Sequence, residues 1–270
     1  MPQKFGAIDV DAIELHRDGA VARLLINQPS TRNAICRSMW RTITLQCTRL
    51  AADHSVRAIT LESAIPGSFS SGADISEFEA NYADAATTAE VNAEMRDAIE
   101  SVAACPQPVI ALVDGICVGG GIALLLACDI RLCNESARFA LTPARIGLSY
   151  DPADIRRLLA AVGRGVASEM LFGGEMWSAR RVWEAGLVNS VFTDEEFVPQ
   201  SNALIDAICA NSRSANEILK RSLSDVESGD ADRFDRARKA FSEQFSSADF
   251  IEGRDAFLEK RTALFPSHSN

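Results

Sequence analysis

Histidine is scarce in this chain. There are three in 270 residues, and His16, His54 and His268 lie far apart in sequence. Zinc centres and His-dependent nucleophile triads need histidines at defined positions, so both are poor fits. The seven cysteines, at 36, 47, 105, 117, 128, 133 and 209, are odd in number and form no CxxC pair. They read as reduced, mostly buried thiols of a cytoplasmic protein, not as a disulfide framework. Long apolar runs are also missing. The longest, Ile122 to Cys128, is far short of the roughly 20 residues that span a bilayer. The opening MPQKFGAIDVDAIEL has no apolar core of a secretory signal. Basic excess is absent too: 27 Lys plus Arg stand against 37 Asp plus Glu, a net charge of −10. That argues against a general nucleic-acid or anionic-membrane binder, but it leaves room for a local cationic site.

What is present is an ordinary globular composition, 47% hydrophobic and 24% charged. Apolar runs around Asp18-Gly19 read as a hairpin of Ala12 to Leu15 with Val21 to Ile26. Helical spacing follows over Arg37 to Ala51, then a short strand at Arg57 to Leu61. Residues 65–72 read as a Ser- and Gly-rich loop, and Ala89 to Ala104 as a helix ending before Pro106 and Pro108. The unbroken apolar run Val109 to Val113 reads as a strand buried on both faces. Gly119-Gly120-Gly121 then opens an apolar helix through Ala127. Strands are expected at Ile130 to Leu132, Arg138 to Leu141 and Leu187 to Phe192. Helices are expected at Ala153 to Val162, Gly165 to Phe172 and Ser178 to Ala185. From Glu195 onward almost everything has helical period. The chain thus divides into an α/β core, residues 1–195, and a helical part, residues 196–270, whose apolar stripes suit burial on another subunit.

The most informative segment is Pro108-Val-Ile-Ala-Leu-Val-Asp-Gly-Ile-Cys-Val-Gly-Gly-Gly-Ile-Ala123. A buried strand turns and feeds a helix through three glycines. Free amides and the helix dipole at such a start suit a phosphate or a developing oxyanion. An alternative is that the glycines only allow helix and strand to pack closely. The segment is neither a Walker loop nor GxGxxG. A second loop, Phe69-Ser-Ser-Gly-Ala-Asp-Ile-Ser-Glu-Phe78, is similar in kind, although by itself Asp74 reads as a helix cap. Two amides from separate loops, at Ala73 and Gly120, would make an oxyanion hole.

These two segments belong to a longer series. It includes Asn27-Gln-Pro29 with Arg32-Asn-Ala34, Ala127-Cys-Asp129, Phe139-Ala-Leu-Thr-Pro-Ala-Arg-Ile-Gly147, Ala185-Gly-Leu-Val-Asn189 and Glu252-Gly-Arg-Asp-Ala-Phe-Leu-Glu-Lys-Arg261. In that order and spacing the sequence resembles the crotonase superfamily, the enoyl-CoA hydratase/isomerase family. The resemblance implies a crotonase-like spiral of repeated ββα units with a C-terminal helical region that builds a homotrimer or a dimer of trimers. It implies an acyl-CoA thioester as partner, coenzyme A entering as part of the substrate, with no tightly bound cofactor and no metal. Ala73 and Gly120 would polarise the thioester carbonyl, beside Gly119. Arg32, Ala34, Ala73, Asp74 and Ile75 would hold the adenosine end. Phe257 and Lys260 would cover the adenine and pair the phosphates, often from a neighbouring subunit. Taken alone, Lys260-Arg261 reads as a solvated helix face.

The sequence departs from that family where hydration is carried out. Hydratases have one glutamate three residues past the middle glycine, which here is Ala123, and another four residues before the following glycine, which here is Pro143. Neither side chain can move a proton, and hydration needs one group to activate water and another to deliver a proton. What remains is Gly147-Leu-Ser-Tyr150-Asp151. Asp151 matches the aspartate of dienoyl-CoA isomerases and of 4-chlorobenzoyl-CoA dehalogenase. Tyr150 matches a tyrosine of methylmalonyl-CoA decarboxylase. Asp151-Pro152 is equally an N-cap with Pro at N1. Asp154, one turn further, reads as a surface or capping residue. Arg145 either meets a substrate carboxylate or points to solvent, and Tyr82 and Trp177 are either pocket aromatics or ordinary ones.

The leading expectation is therefore an enolate-stabilising acyl-CoA enzyme of decarboxylase (lyase) or isomerase type, with Ala73, Gly120, Tyr150 and Asp151 as its catalytic set. The alternative is a non-catalytic acyl-CoA binder. A peptidase of the related spiral fold lacks a credible Ser-His-Asp order.

Overall fold

A computed structural model describes residues 12–268; the reading of the amino-terminal opening falls largely on residues outside them. Three kinds of local signal build the chain: two-residue turns, buried apolar strands and amphipathic helices. The hairpin of β1 (Ile13–Asp18) and β2 (Val21–Ile26) closes on Gly19-Ala20, with Gly19 at positive φ and Asp18 opposite Val21. The chain continues through β3 (Ala34–Ile35) and α1 (Arg37–Ala51), then β4 (Ala58–Ser63), β5 (Ser68–Ser70), β6 (Gly72–Ala73), α2 (Phe78–Asn81) and α3 (Ala85–Ala104). Next come β7 (Val109–Val113), β8 (Ile116–Val118), α4 (Gly120–Ala127), β9 (Ile130–Asn134), β10 (Arg138–Ala140) and α5 (Pro152–Gly173). The rest is β11 (Trp177–Ser178), α6 (Ala179–Glu184), β12 (Ser190–Phe192), α7 (Phe197–Ala210), α8 (Arg213–Glu227), α9 (Ala231–Gln244) and α10 (Ala248–Glu259).

The recurring unit is strand, strand, helix. β4-β5-α3, β7-β8-α4 and β9-β10-α5 each place the first strand in one sheet and the second in another. The first sheet runs β1-β2-β4-β7-β9-β12, parallel except for the β1–β2 hairpin, and the second runs β11-β10-β8-β5. A short parallel pair, β3–β6, joins two loops outside both sheets. The expected α/β spiral of ββα units is the fold observed.

The pleat of β7 explains its unbroken apolar sequence. Val109, Ala111 and Val113 face the main core with α1, α3 and α4, while Ile110 and Leu112 face a second cluster containing Phe197, Ile205 and Cys209 of α7. Both faces are covered, so no position in the strand can be polar at low cost. Helix α8 is tied to the same strand ends by charge. Lys220 Nζ lies 2.7 Å from Asp129 Oδ2 and donates to Gln107 O at 3.0 Å, and Asp129 Oδ2 also accepts from Val109 N at 2.7 Å.

Two sequence expectations change. Residues 65–72 are not all loop, because Ser68–Ser70 forms β5 against β8. Its serines supply hydroxyls that satisfy neighbouring carbonyls, so a polar strand can be buried. The helices expected at 153–162 and 165–172 are one element, α5, kinked at Gly163 with φ 70°. All seven cysteines are unpaired, and only Cys36 is more than marginally exposed.

Gly115 closes the β7–β8 turn at φ +76°, and a Cβ there would lie 2.0 Å from the Gly67 carbonyl carbon. Gly115→Ala is thus expected to destabilise the fold by several kcal/mol through a backbone–backbone clash added to αL strain. Chemical denaturation checks this; a midpoint equal to that of the native chain would contradict it.

Candidate active site

Two loops far apart in sequence are stitched together by one asparagine. Asn33 is fully buried and sits at φ 59°, a conformation that Asn tolerates better than most residues. Its Nδ2 donates to Ser63 Oγ at 2.8 Å, Ser68 O at 2.9 Å and Phe69 O at 3.2 Å, while its Oδ1 accepts from Gln28 N at 2.7 Å. In return Ser70 Oγ donates to Asn33 O and Ser68 Oγ to Arg32 O. The Ser71 amide also bonds Arg32 O, and the Asp74 amide bonds Ile35 O. A parallel ladder uses alternate amides of each strand, so with Asp74 N turned to β3 the intervening Ala73 N–H turns away from it.

The second loop ends at Gly119, the N-cap of α4, at φ 50° and ψ −114°. A side chain rarely adopts this conformation, and it points the first amide of α4 away from the helix. The Gly119 carbonyl accepts from Ile122 N at 2.9 Å, Ala123 N at 3.3 Å and the Tyr150 hydroxyl at 2.8 Å. In a trans peptide the C=O and N–H point oppositely. Anchoring Gly119 O therefore aims Gly120 N–H, an unpaired helix-start amide, to the other side. The two hole residues are neighbours: a Cβ built on Gly120 would lie 3.5 Å from Ala73 N, and one on Gly72 would lie 3.6 Å from Gly120 N.

Both residues line one cavity of about 430 Å³. Its walls include Phe78, Tyr82, Met95, Ile99, Ile146 and Leu148, with Ala123 and Pro143 among them. Ala123 and Pro143, the positions expected from the resemblance to correspond to the hydratase glutamates, therefore line the same cavity as Ala73 and Gly120, and both are apolar. Tyr82 lines the cavity and stacks edge-on against Phe78 with centroids 5.1 Å apart. Trp177 belongs to the core instead, 3% exposed beneath the Arg181 guanidinium.

The polar end of the cavity is built from α3 and the start of α5. Asp151 caps α5, its Oδ1 accepting from Ala153 N at 2.8 Å, and its Oδ2 lies 3.6 Å from Arg96 Nε. It is both a cap and a cavity-lining carboxylate. Asp154 is the correction. Expected at the surface or in a cap, it is 5% exposed and lines the cavity. Arg157 grips its Oδ1 at 3.1 Å and reaches Glu100 Oε1 on α3 at 2.7 Å. Burial nevertheless pushes the Asp154 carboxyl up to about 6, with Asp151 and Glu100 adding to the effect against the pull of Arg157. Burial, with the Asp154 charge close by, also drives the Tyr150 phenol well above its ordinary value, so Tyr150 acts as a neutral donor.

The remaining expected residues are dispersed. Arg32 is exposed at φ 55°, Ala34 is buried in β3, and Ile75 is 74% exposed beside the mouth of the cavity. Asp74 caps a short turn through Ser76 N at 2.9 Å. Phe257, 83% exposed, and Lys260, at the end of α10, do not line the cavity within one chain. Arg145 is exposed and stands outside it, and Arg261 is paired with Glu252 and Glu259. Sequence reasoning missed Asn33 and Asp154. The Asp154–Arg157 spacing of three was the available signal, since that spacing places both groups on one helix face. Among the described residues no group of three His, Cys, Asp or Glu side chains is arranged to hold a metal ion, and no helix is long and apolar enough to cross a membrane.

A ββα spiral brings Ala73 and Gly120 together at one largely apolar cavity. A family model described as enoyl-CoA hydratase/isomerase matches residues 16–268. A solved enoyl-CoA hydratase/isomerase family protein from Hyphomonas neptunium is 34% identical, with a TM-score of 0.91 over 95% of this chain and 98% of that one. An enoyl-CoA hydratase/carnithine racemase from Magnetospirillum magneticum is 31% identical at a TM-score of 0.90, covering 95% and 96%. The crotonyl-CoA hydratase of Syntrophomonas wolfei is 30% identical over 94% of this chain and 98% of its own length. The chain belongs to the enoyl-CoA hydratase/isomerase family, within the crotonase superfamily, and that membership implies an acyl-CoA thioester as its substrate.

Tyr150→Phe removes one of three bonds to Gly119 O. It is expected to lower stability by about 1 kcal/mol and to loosen the Gly120 amide. The second effect is read as a smaller red shift in the absorption of a bound aryl-enoyl-CoA, whose band follows carbonyl polarisation. Unchanged stability and an unchanged shift would separate Tyr150 from the hole.

Proposed function

We propose that this chain is an acyl-CoA enzyme that stabilises a thioester enolate between Ala73 N and Gly120 N, and that it catalyses decarboxylation or a double-bond shift instead of hydration. The observation that carries this reading is the lining of the cavity. Its two amides are present, while Ala123 and Pro143 stand where both hydration acids would act. The relatives cited above include a protein named as a hydratase, so the departure rests on these side chains and not on the family.

Negative charge develops on the thioester oxygen when an enolate forms, and preorganised amides stabilise that charge without reorganising. Decarboxylation asks least of the protein. Breaking the bond to CO2 leaves the electron pair on the α-carbon as enolate, and only a proton has to be returned. A double-bond shift needs one group to remove and return a proton. Arg32, Ala34, Asp74 and Ile75 would receive the adenosine end. Phe257 and Lys260 would complete it from a neighbouring copy, consistent with their distance from the cavity of their own chain.

A panel of malonyl-type, dienoyl and 3-enoyl thioesters is expected to show turnover, with crotonyl-CoA as the hydration control giving no 3-hydroxyacyl product. Efficient hydration of crotonyl-CoA would sink the proposal, and CoA-ester binding without turnover anywhere in the panel would favour a binding protein. Gly120→Ala tests the hole directly. Its Cβ would meet Trp40 at 3.4 Å and Ala73 N at 3.5 Å, contacts the fold accommodates, while filling the space of the oxyanion. A loss of about 10²-fold or more in kcat is expected, at unchanged melting temperature.

The same reading assigns α8 to α10 to self-association as a trimer or a dimer of trimers. Leu219, Leu223, Phe241, Phe245 and Leu258 are each more than half exposed, an apolar surface of a kind that usually marks an interface. Sedimentation equilibrium is expected to give a multiple of three chains; a monomer at micromolar concentration would contradict it.

A further inference from the structure

We propose that Asp154, and not Asp151, is the catalytic residue that carries the proton of the reaction in this cavity. The proposal rests on the enolate reading above and names the group that serves it.

The geometry separates the two carboxylates. Asp151 Oδ1 is committed to the Ala153 amide, and its side chain is 37% exposed with Arg96 alongside. That geometry, one oxygen on the helix start and the rest open to water, is the geometry of a cap. Asp154 is set deeper, its side chain 7% exposed, on the wall that also holds Tyr150 and Ala123. Arg157 engages only Oδ1 and is itself shared with Glu100. Among the described residues no hydrogen-bond donor is assigned to Oδ2. Asp154 thus supplies, from a different element, the proton-handling group that Ala123 and Pro143 do not.

The charged and titratable groups around it are Arg157 and Asp151 on its own helix, Glu100 and Arg96 on α3, and Tyr150 on the loop before α5. All three carboxylates lie beside an arginine, Asp151 beside Arg96 and both Asp154 and Glu100 beside Arg157, but only the Asp154 side chain is buried. Asp154, pushed up to about 6, is the one poised to change protonation near neutral pH.

The proton balance is simple in either reaction. In a double-bond shift, ionised Asp154 takes a proton from carbon. The C–H pair enters the conjugated enolate, and the carboxyl then returns the proton at the other end of the system. In decarboxylation, CO2 leaves with its bond pair left on the α-carbon. Protonated Asp154 gives its proton to that carbon and is recharged from water. The first predicts activity rising through about pH 6, the second activity falling through it.

The experiment compares the native chain with Asp154→Asn, Asp154→Glu and Asp151→Asn. One readout is the red shift of bound aryl-enoyl-CoA, which reports the hole. The other is kcat against pH on the best thioester of the panel, together with exchange of the α-hydrogens of butyryl-CoA in D2O. The expected result for Asp154→Asn is a native red shift with turnover and exchange down about 10²-fold or more and the pH step near 6 abolished. Asp154→Glu should recover part of the rate with a displaced step, and Asp151→Asn should keep the native step. The proposal is overturned if Asp154→Asn stays within about threefold of native activity with the same pH profile. It is overturned equally if the native protein shifts the probe but neither turns over nor exchanges any thioester. If the native protein gives no red shift at all, the enolate reading itself fails, and the two failures are thereby distinguished.

Discussion

The orientation of a single peptide unit, the one joining Gly119 to Gly120, governs the site. Its carbonyl is held by two amides of α4 and by the Tyr150 hydroxyl, so its N–H has one direction left. A water-exposed amide could turn to meet any ligand, but turning costs free energy at the moment of reaction. This one is already turned, and bonding at the oxygen polarises the peptide and strengthens the N–H as a donor. The conformation of Gly119 is the local condition for this, because few side chains tolerate φ 50° with ψ −114°.

The second amide depends on a different device. Ala73 ends the two-residue strand β6, and so short an element holds its geometry only when its backbone is tied down. Here the tie is Asn33, with four hydrogen bonds to backbone and hydroxyl groups, reciprocated by serines of β5. Serine is an unusual choice for a buried strand. At these positions its hydroxyls are consumed by carbonyls of the facing turn, so Ser68 and Ser70 are satisfied although buried. Rigid loops, a buried spiral core and the α3 wall then enclose one cavity. The α3 wall is itself pinned to α1 by Glu94, which bonds Arg37 Nε at 2.7 Å.

Ala123 and Pro143, which cannot move a proton, line the cavity together with the two amides. Its buried carboxylate is on α5, where burial competes with Arg157 for control of Asp154. On the proposed reading, Ala73 N and Gly120 N supply the carbonyl-polarising half of the site and Asp154 the proton-moving half.

Much of this was written locally in the sequence. The hairpin at Asp18-Gly19, the doubly buried Val109–Val113 strand, the glycine-started helix and the Asp151-Pro152 cap follow from turn chemistry, apolar pattern and steric freedom, which act within a few residues. The resemblance pointed to Ala73 and Gly120 through the residue types and order of those two loops in this sequence. Asp154 and Asn33 were decided only by tertiary structure. A polar residue one turn into a helix is normally solvated, and only the approach of α3, whose Glu100 meets Arg157 of Asp154's own helix, withdraws Asp154 from water. Asn33 carries little local pattern, since three of its four partners lie 30 to 36 residues away and meet it only once β4 and β5 have folded against the turn. Sequence specifies backbone geometry through short-range sterics, whereas burial, and with it the acidity of a side chain, is a property of what other segments bring near.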